Sequence, residues 1–141
     1  MKREIKFRAW NEEKKKFIYF ELSNNYYEVT GIKRNEDLSD YDIEDWQQYT
    51  GLKDKNGVEN YEGDIVRYVY YDGSGISDNF EVRFGKFNSE DYDEPMPDVI
   101  GYYVKKEYNN MFSIFDYYGS SIDTIEVIGN IYSNPELLNN K

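Results

Sequence analysis

The chain has 141 residues, of which 28 are acidic and 17 are basic, so its net charge near neutral pH is −11. It contains no cysteine and no histidine, which excludes disulfides, thiolate nucleophiles, imidazole catalysis and zinc sites of the usual thiolate or imidazole kind. An acidic surface should repel the phosphates of duplex nucleic acid, and no apolar run approaches the roughly 18 residues of a membrane span. We therefore expect a soluble protein of a reducing cytoplasm, with one domain or two small lobes.

The N-terminal part of the chain shows an apolar period close to two, which favours strands over helices. Residues 5–10 and 17–22 follow this alternation on either side of a charged turn, and they predict a β-hairpin. Residues 26–33 predict a third strand. The acidic segment that follows is interpreted as a helical turn, because Ser39 precedes Asp42 with the spacing of a helix N-cap.

The middle of the chain is rich in turn signals. Residues 54–57 end in Asn-Gly and predict a tight turn, since both residues readily adopt positive φ. Gly51 predicts a bulge or kink before it. Residues 61–70 predict one long strand that is entered through a glycine, and their Gly-Asp-Ile-Val run resembles the first strand of SH3-like barrels. This analogy predicts a small closed sheet in the second part of the chain.

Further strands are predicted at residues 80–87, 99–105, 111–117 and 125–132. A capped terminal turn is predicted after them, with Asn134 as the cap and Pro135 at the first helical position. The fold class that results is mainly β with little helix.

The domain organisation follows from the order of these elements. Residues 1–48 are predicted to form an N-terminal β lobe that contains the hairpin and an acidic loop. Residues 49–141 are predicted to form an SH3-like β-barrel lobe. The alternative is one continuous domain over residues 1–141.

Charge is unevenly distributed along the chain. Residues 1–16 hold seven basic and three acidic side chains, whereas the remainder holds ten basic and 25 acidic ones. Two acidic clusters lie at residues 36–45, with six carboxylates, and at residues 90–98, with five. Neither cluster has the glycine and terminal glutamate spacing of an EF-hand loop, and Pro95 interrupts the second. Both are interpreted as solvated loops, with a weak cation site as the alternative.

The first predicted strand carries the candidate interaction face. Lys6, Arg8 and Trp10 alternate with apolar residues and should share one face of that strand. An arginine on such a face can stack on an indole or receive a partner. The alternative is an exposed strand face whose charges form salt bridges.

No set of catalytic residues can be assembled from the side chains that remain. Glu62 and Asp64 form a carboxylate pair, two residues apart on a segment predicted to be extended. The simpler interpretation is that Asp64 accepts backbone N–H bonds in a turn while Glu62 points into water. Phosphate-cradling glycine loops and dinucleotide fingerprints are absent from the sequence. We therefore expect no enzymatic activity, no cofactor and no dedicated metal site.

Three motifs in order carry a resemblance to a known family: residues 5–10, residues 48–66 with their Gly51-Leu52 and Gly63-Asp64 steps, and residues 125–137. The chain resembles the YopX family of bacteriophage and prophage proteins. The resemblance implies a small, mostly β protein carried by phages of low-GC Gram-positive bacteria and located in the host cytoplasm. The family has no established biochemical activity that the resemblance could carry over to this chain.

Three hypotheses of function remain open. The first is a protein-interaction or assembly module that engages a host or phage protein, or assembles as a homo-oligomer. The second is an acidic decoy that binds the DNA-contacting face of a host protein. The third is binding of single-stranded nucleic acid or glycan by stacking, because the chain has 16 tyrosines and eight phenylalanines. No membrane partner is expected.

Overall fold

The computed structural model describes residues 4–23, 26–32, 36–37, 39, 41, 45–69, 76–87, 99–105, 111–113 and 125–139. These residues form ten strands in two antiparallel five-stranded sheets and end in a 3₁₀ helix, Pro135–Asn139. The mainly β fold predicted from the sequence is therefore confirmed. Within this described part of the chain, no helix is long and apolar enough to cross a membrane.

The first sheet contains the N-terminal hairpin and has the order β3-β2-β1-β4-β5. Its strands are β1 (Ile5–Asn11), β2 (Lys16–Ser23), β3 (Tyr26–Thr30), β4 (Trp46–Lys53) and β5 (Glu59–Tyr61). Phe7 of β1 lies opposite Phe20 of β2 in the predicted hairpin, which is confirmed. β3 ends three residues before the predicted boundary, because Gly31 leaves the extended conformation with a φ of +91°.

The second sheet has the order β10-β6-β7-β8-β9. Its strands are β6 (Asp64–Val69), β7 (Ile76–Phe87), β8 (Val99–Lys105), β9 (Met111–Ser113) and β10 (Ile125–Asn130). The strands predicted at residues 80–87, 99–105 and 125–132 are present in this sheet. β7 begins four residues earlier than predicted, and β10 ends two residues earlier, at Asn130, because residues 131–133 form a turn. The strand predicted at residues 111–117 is present as β9, and its last four residues lie outside the described ones. The predicted acidic loop of residues 90–98 also lies outside them.

Residues 61–70 do not form the single strand that was predicted. Tyr61 ends β5 in the first sheet, Glu62 and Gly63 form a turn, and Asp64 begins β6 in the second sheet. The turn depends on Gly63, which has a φ of +80° and packs so closely on the Gln47 amide that a β-carbon would collide with it. The chain crosses from one sheet to the other at this glycine.

The turn of residues 54–57 is confirmed and joins the two sheets. Gly57 has a φ of +81°, and the carboxylate of Asp54 accepts the N–H groups of Asn56 and Val58 at 2.8 and 2.9 Å. Its other oxygen accepts the N–H of Val127 in β10 at 2.9 Å. The predicted bulge at Gly51 is also present, since the register of β4 against β5 shifts there.

One cluster of buried core residues lies on the second sheet and consists of Val66, Tyr68, Phe80, Val82, Val104 and Ile125. Leu52 of β4 packs against this cluster from the first sheet. Side chains of the first sheet are buried as well, among them Ala9, Ile18, Tyr49 and Tyr61. Neither sheet closes on itself within the described residues, so the SH3-like barrel stays a prediction. The division proposed at residue 48 falls inside β4, which pairs with both β1 and β5.

Candidate functional site

The three residues of the candidate interaction face lie on the same side of β1, and each is held by contacts within the chain. Arg8 is only 5% exposed. The ammonium group of Lys6 lies 2.5 Å from a carboxylate oxygen of Glu59. The indole of Trp10 stacks on the ring of Tyr132 at 5.7 Å, with an angle of 7° between the planes. This face therefore contacts other parts of the same molecule.

Arg8 is the centre of a buried polar network. Its Nη2 donates to Oδ1 of Asp64 at 2.7 Å and to the carbonyl oxygen of Glu62 at 3.2 Å, and its Nε donates to Oε1 of Gln47 at 2.9 Å. Asp64 and Gln47 are also buried. Buried charges are tolerated when they are paired and hydrogen-bonded. The network thus ties β1 and β4 of the first sheet to the start of β6 in the second.

Aromatic rings complete the surroundings of the guanidinium group. It lies 4.2 Å from the ring centre of Phe17 and 4.8 Å from that of Tyr61, within the range of cation–π attraction. Phe17 also meets Trp10 edge to face at 5.0 Å. Of the roles that the sequence left open for Arg8, stacking on an indole is not observed: Arg8 stacks on Phe17 and Tyr61, while Trp10 packs on Tyr132.

The two carboxylates considered for catalysis both bind backbone groups. Asp64 accepts the N–H of Tyr61 at 2.7 Å, as the turn interpretation expects, and burial raises its pKa although the Arg8 guanidinium lowers it. Glu62 accepts the N–H of Gln48 at 3.2 Å, and burial raises its pKa as well. Because a turn separates them, they are not neighbours on one extended segment, which corrects the predicted geometry.

An open cleft of about 180 Å³ lies beside this network, on the same side of the first sheet. It is lined by Lys6, Tyr19, Phe20, Glu21, Glu28, Thr30, Glu59 and Tyr61. Two tyrosines face each other across it, since the rings of Tyr19 and Tyr61 meet edge to face at 6.0 Å. Burial raises the pKa of both phenols, so both stay neutral near pH 7.

The cleft carries an excess of negative charge. Glu59 is neutralised by Lys6, and it also accepts the hydroxyl of Tyr61 at 3.1 Å. Glu21 of β2 lies directly opposite Glu28 of β3, and no cation within the described residues forms an ion pair with either. Like charges that face each other across two strands are destabilising. The pair therefore leaves an unbalanced charge at the open end of the cleft.

The opposite side of the same strands is apolar and exposed. Tyr27 of β3 is 67% exposed, and Leu22 of β2, which lies opposite it, is 48% exposed. Tyr26, which is 66% exposed, lies on the cleft side of β3 with Glu28. The ring of Tyr27 stacks on Phe20 at 5.4 Å, and Phe20 meets Trp46 edge to face at 6.0 Å. We call Leu22, Tyr27 and Trp46 the aromatic strip. It reaches β3, which is the terminal strand of the first sheet in the described part of the chain.

Sequence reasoning singled out none of the residues that form the cleft and the aromatic strip except Lys6. Glu21 and Glu28 are seven residues apart and come together only through the register of β2 against β3. The one available signal was the adjacent pair Tyr26-Tyr27, because neighbouring residues of a strand face opposite sides and one of them must point away from the core. Most of both acidic clusters lies outside the described residues, and the described ones contain no group of three acidic side chains that could hold a metal ion.

The fold and the buried network define a two-sheet β protein in which the Arg8–Asp64 pair and Asp54 join the sheets. The chain belongs to the YopX family, because the family model described as YopX protein matches residues 6–139. The chain is also similar to protein EF1440 from Enterococcus faecalis, a crystal structure with 26% sequence identity and a TM-score of 0.45 over 95% of this chain and 97% of that one. No curated protein is significantly similar to it.

Proposed function

We propose that this protein is a non-catalytic interaction module of a phage or prophage, and that it binds another protein at the β3 edge of its first sheet. The observation that carries the proposal is the aromatic strip. Large apolar side chains that border a free strand edge are typical of a surface that is covered by a partner. Leu22, Tyr27 and Trp46 together leave such a surface open to solvent.

The non-catalytic part of the proposal is supported by the use of the charged motif residues. Arg8 and Asp64 neutralise each other, and Asp54 accepts three backbone N–H groups. A general acid or base needs a free proton-transfer position near a substrate. The hydrogen-bonding atoms of these side chains are occupied by contacts that join strands.

The acidic decoy is a second candidate, and the Glu21–Glu28 pair favours it. The two carboxylates add unbalanced charge to a chain whose net charge is already −11. A surface of this kind attracts basic proteins and repels nucleic acid. The decoy differs from a general interaction module in one measurable way, since its complex should dissociate as the salt concentration rises.

The test is an affinity capture of tagged protein from infected or induced host lysate, with the bound proteins identified by mass spectrometry. Wild type should retain a stoichiometric partner, and a Leu22→Ser, Tyr27→Ser double variant should lose it. Val58→Ser is the matched control, because Val58 is an exposed apolar residue of the 54–58 turn. Equal capture by all three proteins would contradict binding at the strip.

Two further measurements separate the alternatives. Elution of the partner at high salt but not at low salt supports the decoy. Light scattering on the purified chain detects a homo-oligomer, and quenching of tyrosine or tryptophan fluorescence by oligonucleotides or glycans would replace the protein-interaction proposal with ligand stacking.

A further inference from the structure

Among the described residues, the outer edge of β3 pairs with no other strand. β3 is the terminal strand of its sheet, and no described hydrogen bond reaches its outer side. The edge of the second sheet at β10 is different, because Lys55 donates its N–H to the carbonyl of Ile125 and Asp54 accepts the N–H of Val127. A turn thus covers the β10 edge, whereas β3 offers its backbone to a partner.

The two faces of β3 differ in chemistry. On the cleft side, Glu28 lies opposite Glu21. On the other side, Tyr27 lies opposite Leu22 and Val29 lies opposite Phe20. A strand added beyond β3 would alternate between these two environments, since successive side chains point to opposite faces.

We propose that β3 receives an extended segment of a partner protein as an additional antiparallel or parallel strand, and that this segment alternates basic with apolar residues. The inference rests on the proposed interaction function and specifies its partner. The basic side chains lie on the cleft side, where one of them meets Glu28 across the new strand pair and relieves the repulsion between Glu28 and Glu21. The apolar side chains cover Tyr27 and Val29.

The geometry of strand pairing supports a basic residue of the partner segment opposite Glu28. Side chains directly opposite each other on neighbouring strands have β-carbons about 4.5–5.5 Å apart, so a lysine or arginine opposite Glu28 is within reach of its carboxylate. The tyrosine rings of the cleft add a surface on which a cation is attracted. Glu59 already forms an ion pair with Lys6. Glu21 and Glu28 are therefore the carboxylates that favour a basic side chain on the added strand.

A second copy of the chain does not fit the same edge. β3 itself contains Glu28 and no basic residue, so pairing two β3 strands would bring further carboxylates to the cleft. Charge complementarity therefore favours a different, basic partner. An alternating segment is also favoured over a basic helix, because only an extended chain satisfies the free backbone groups of the strand edge.

The test uses a short fluorescein-labelled peptide in which lysine alternates with valine, titrated into the full-length chain and followed by fluorescence anisotropy. Wild type should bind it, and the affinity should fall as salt is added. Glu28→Gln should weaken binding about two- to fivefold, as expected for an exposed ion pair, and Glu21→Gln should weaken it less, because Glu21 lies one strand further from the added segment. Glu136→Gln removes the same charge from the exposed terminal 3₁₀ helix and should leave binding unchanged.

Two controls test strand addition itself. A lysine–valine peptide whose backbone nitrogens are methylated along one edge should not bind, because it cannot donate hydrogen bonds to β3. Hydrogen exchange of the β3 amides should slow when the unmodified peptide is bound. Failure of the unmodified peptide to bind, equal binding of the methylated peptide, or equal binding by Glu28→Gln would overturn the proposal.

Capture from lysate also separates strand pairing at β3 from the proposed interaction function. If Glu28→Lys captures the same stoichiometric partner from lysate as wild type does while the Leu22→Ser, Tyr27→Ser variant loses it, pairing of a basic segment with β3 is overturned and binding at the aromatic strip stands. If no protein is captured and no peptide binds, both are overturned.

Discussion

Arg8→Met should destabilise the fold strongly, because it removes one member of a buried ion pair. Methionine preserves most of the length and apolar volume of the side chain, so the change mainly removes charge. Opposite unit charges about 4 Å apart attract by about 4 kcal/mol at an effective dielectric constant of about 20. Gln47 and the Glu62 carbonyl each lose a donor as well, at about 1 kcal/mol each. Relaxation and water entry offset part of this, and we expect a loss of about 3–5 kcal/mol.

The loss of unfolding free energy in Arg8→Met should depend on pH in a defined direction. Burial already raises the pKa of Asp64, and Arg8 is the largest influence that lowers it, so the variant should have a still higher pKa in the folded state. A carboxyl whose folded pKa lies above its unfolded pKa contributes stability at low pH and loses it as the pH rises through the folded pKa. The destabilisation by Arg8→Met should therefore be smaller at about pH 4 than at about pH 7.

The assay is urea unfolding followed by far-ultraviolet circular dichroism, since Trp10 lies too close to the mutated site to serve as a neutral probe. Arg67→Met is the matched control, because Arg67 pairs with Glu126 at 2.9 Å and is about one third exposed. It should cost less than about 1 kcal/mol. Asp64→Asn provides the complementary test: it leaves Arg8 charged at every accessible pH, so acid should not restore its stability. Equal losses for Arg8→Met and Arg67→Met, or a loss for Arg8→Met that is the same at both pH values, would refute this reasoning.

The remaining predictions concern the turns and the buried phenols. Gly57→Ala and Gly63→Ala both place a side chain at a φ near +80°, but only the second collides with a neighbour. Calorimetry should therefore show a loss of about 1 kcal/mol for Gly57→Ala and about 2–4 kcal/mol for Gly63→Ala, and equal losses would show that the contact is unimportant. Asp54→Asn keeps the size of the side chain but replaces one accepting oxygen, and urea unfolding should show a loss of about 1–3 kcal/mol; no loss would contradict the role of Asp54 in joining the sheets. Burial raises the pKa of the Tyr61 phenol. The free energy of unfolding should therefore fall as the pH rises above about 10, the ordinary pKa of tyrosine. Absorbance at alkaline pH should show a fraction of tyrosines that titrates only when the chain unfolds. Titration of all tyrosines together near pH 10 while circular dichroism stays native would contradict it.

Local features of the sequence determined the strands and most of the turns. The period of two at residues 5–10 and 17–22 predicted the hairpin, and the Asn-Gly step predicted the turn that ends at Gly57. Both predictions are correct because the sequence pattern and the structure that it predicts involve the same few neighbouring residues. The three motifs along the chain also sufficed to place it in its family.

The break of the predicted strand at residues 61–70 shows where local reasoning ends. A glycine before Asp64 is compatible with a strand start, a bulge or a turn. The turn was chosen by packing, because Gln47 lies against Gly63 and leaves no room for a β-carbon. Nothing near Gly63 in the sequence identifies Gln47 as its neighbour.

The candidate site depended on the tertiary structure for the same reason. Arg8 and Asp64 are 56 residues apart, and their partnership follows from how the two sheets pack. Glu21 and Glu28 face each other only because β2 and β3 pair in one particular register, and a shift by one residue would send one of them to the opposite face. The sequence by itself determined the composition, most of the strands and the turn at residues 54–57. Only the tertiary structure decided where residues 61–70 break, which charges are neutralised inside the protein, and which strand edge is unpaired among the described residues, because all three depend on contacts between distant parts of the chain.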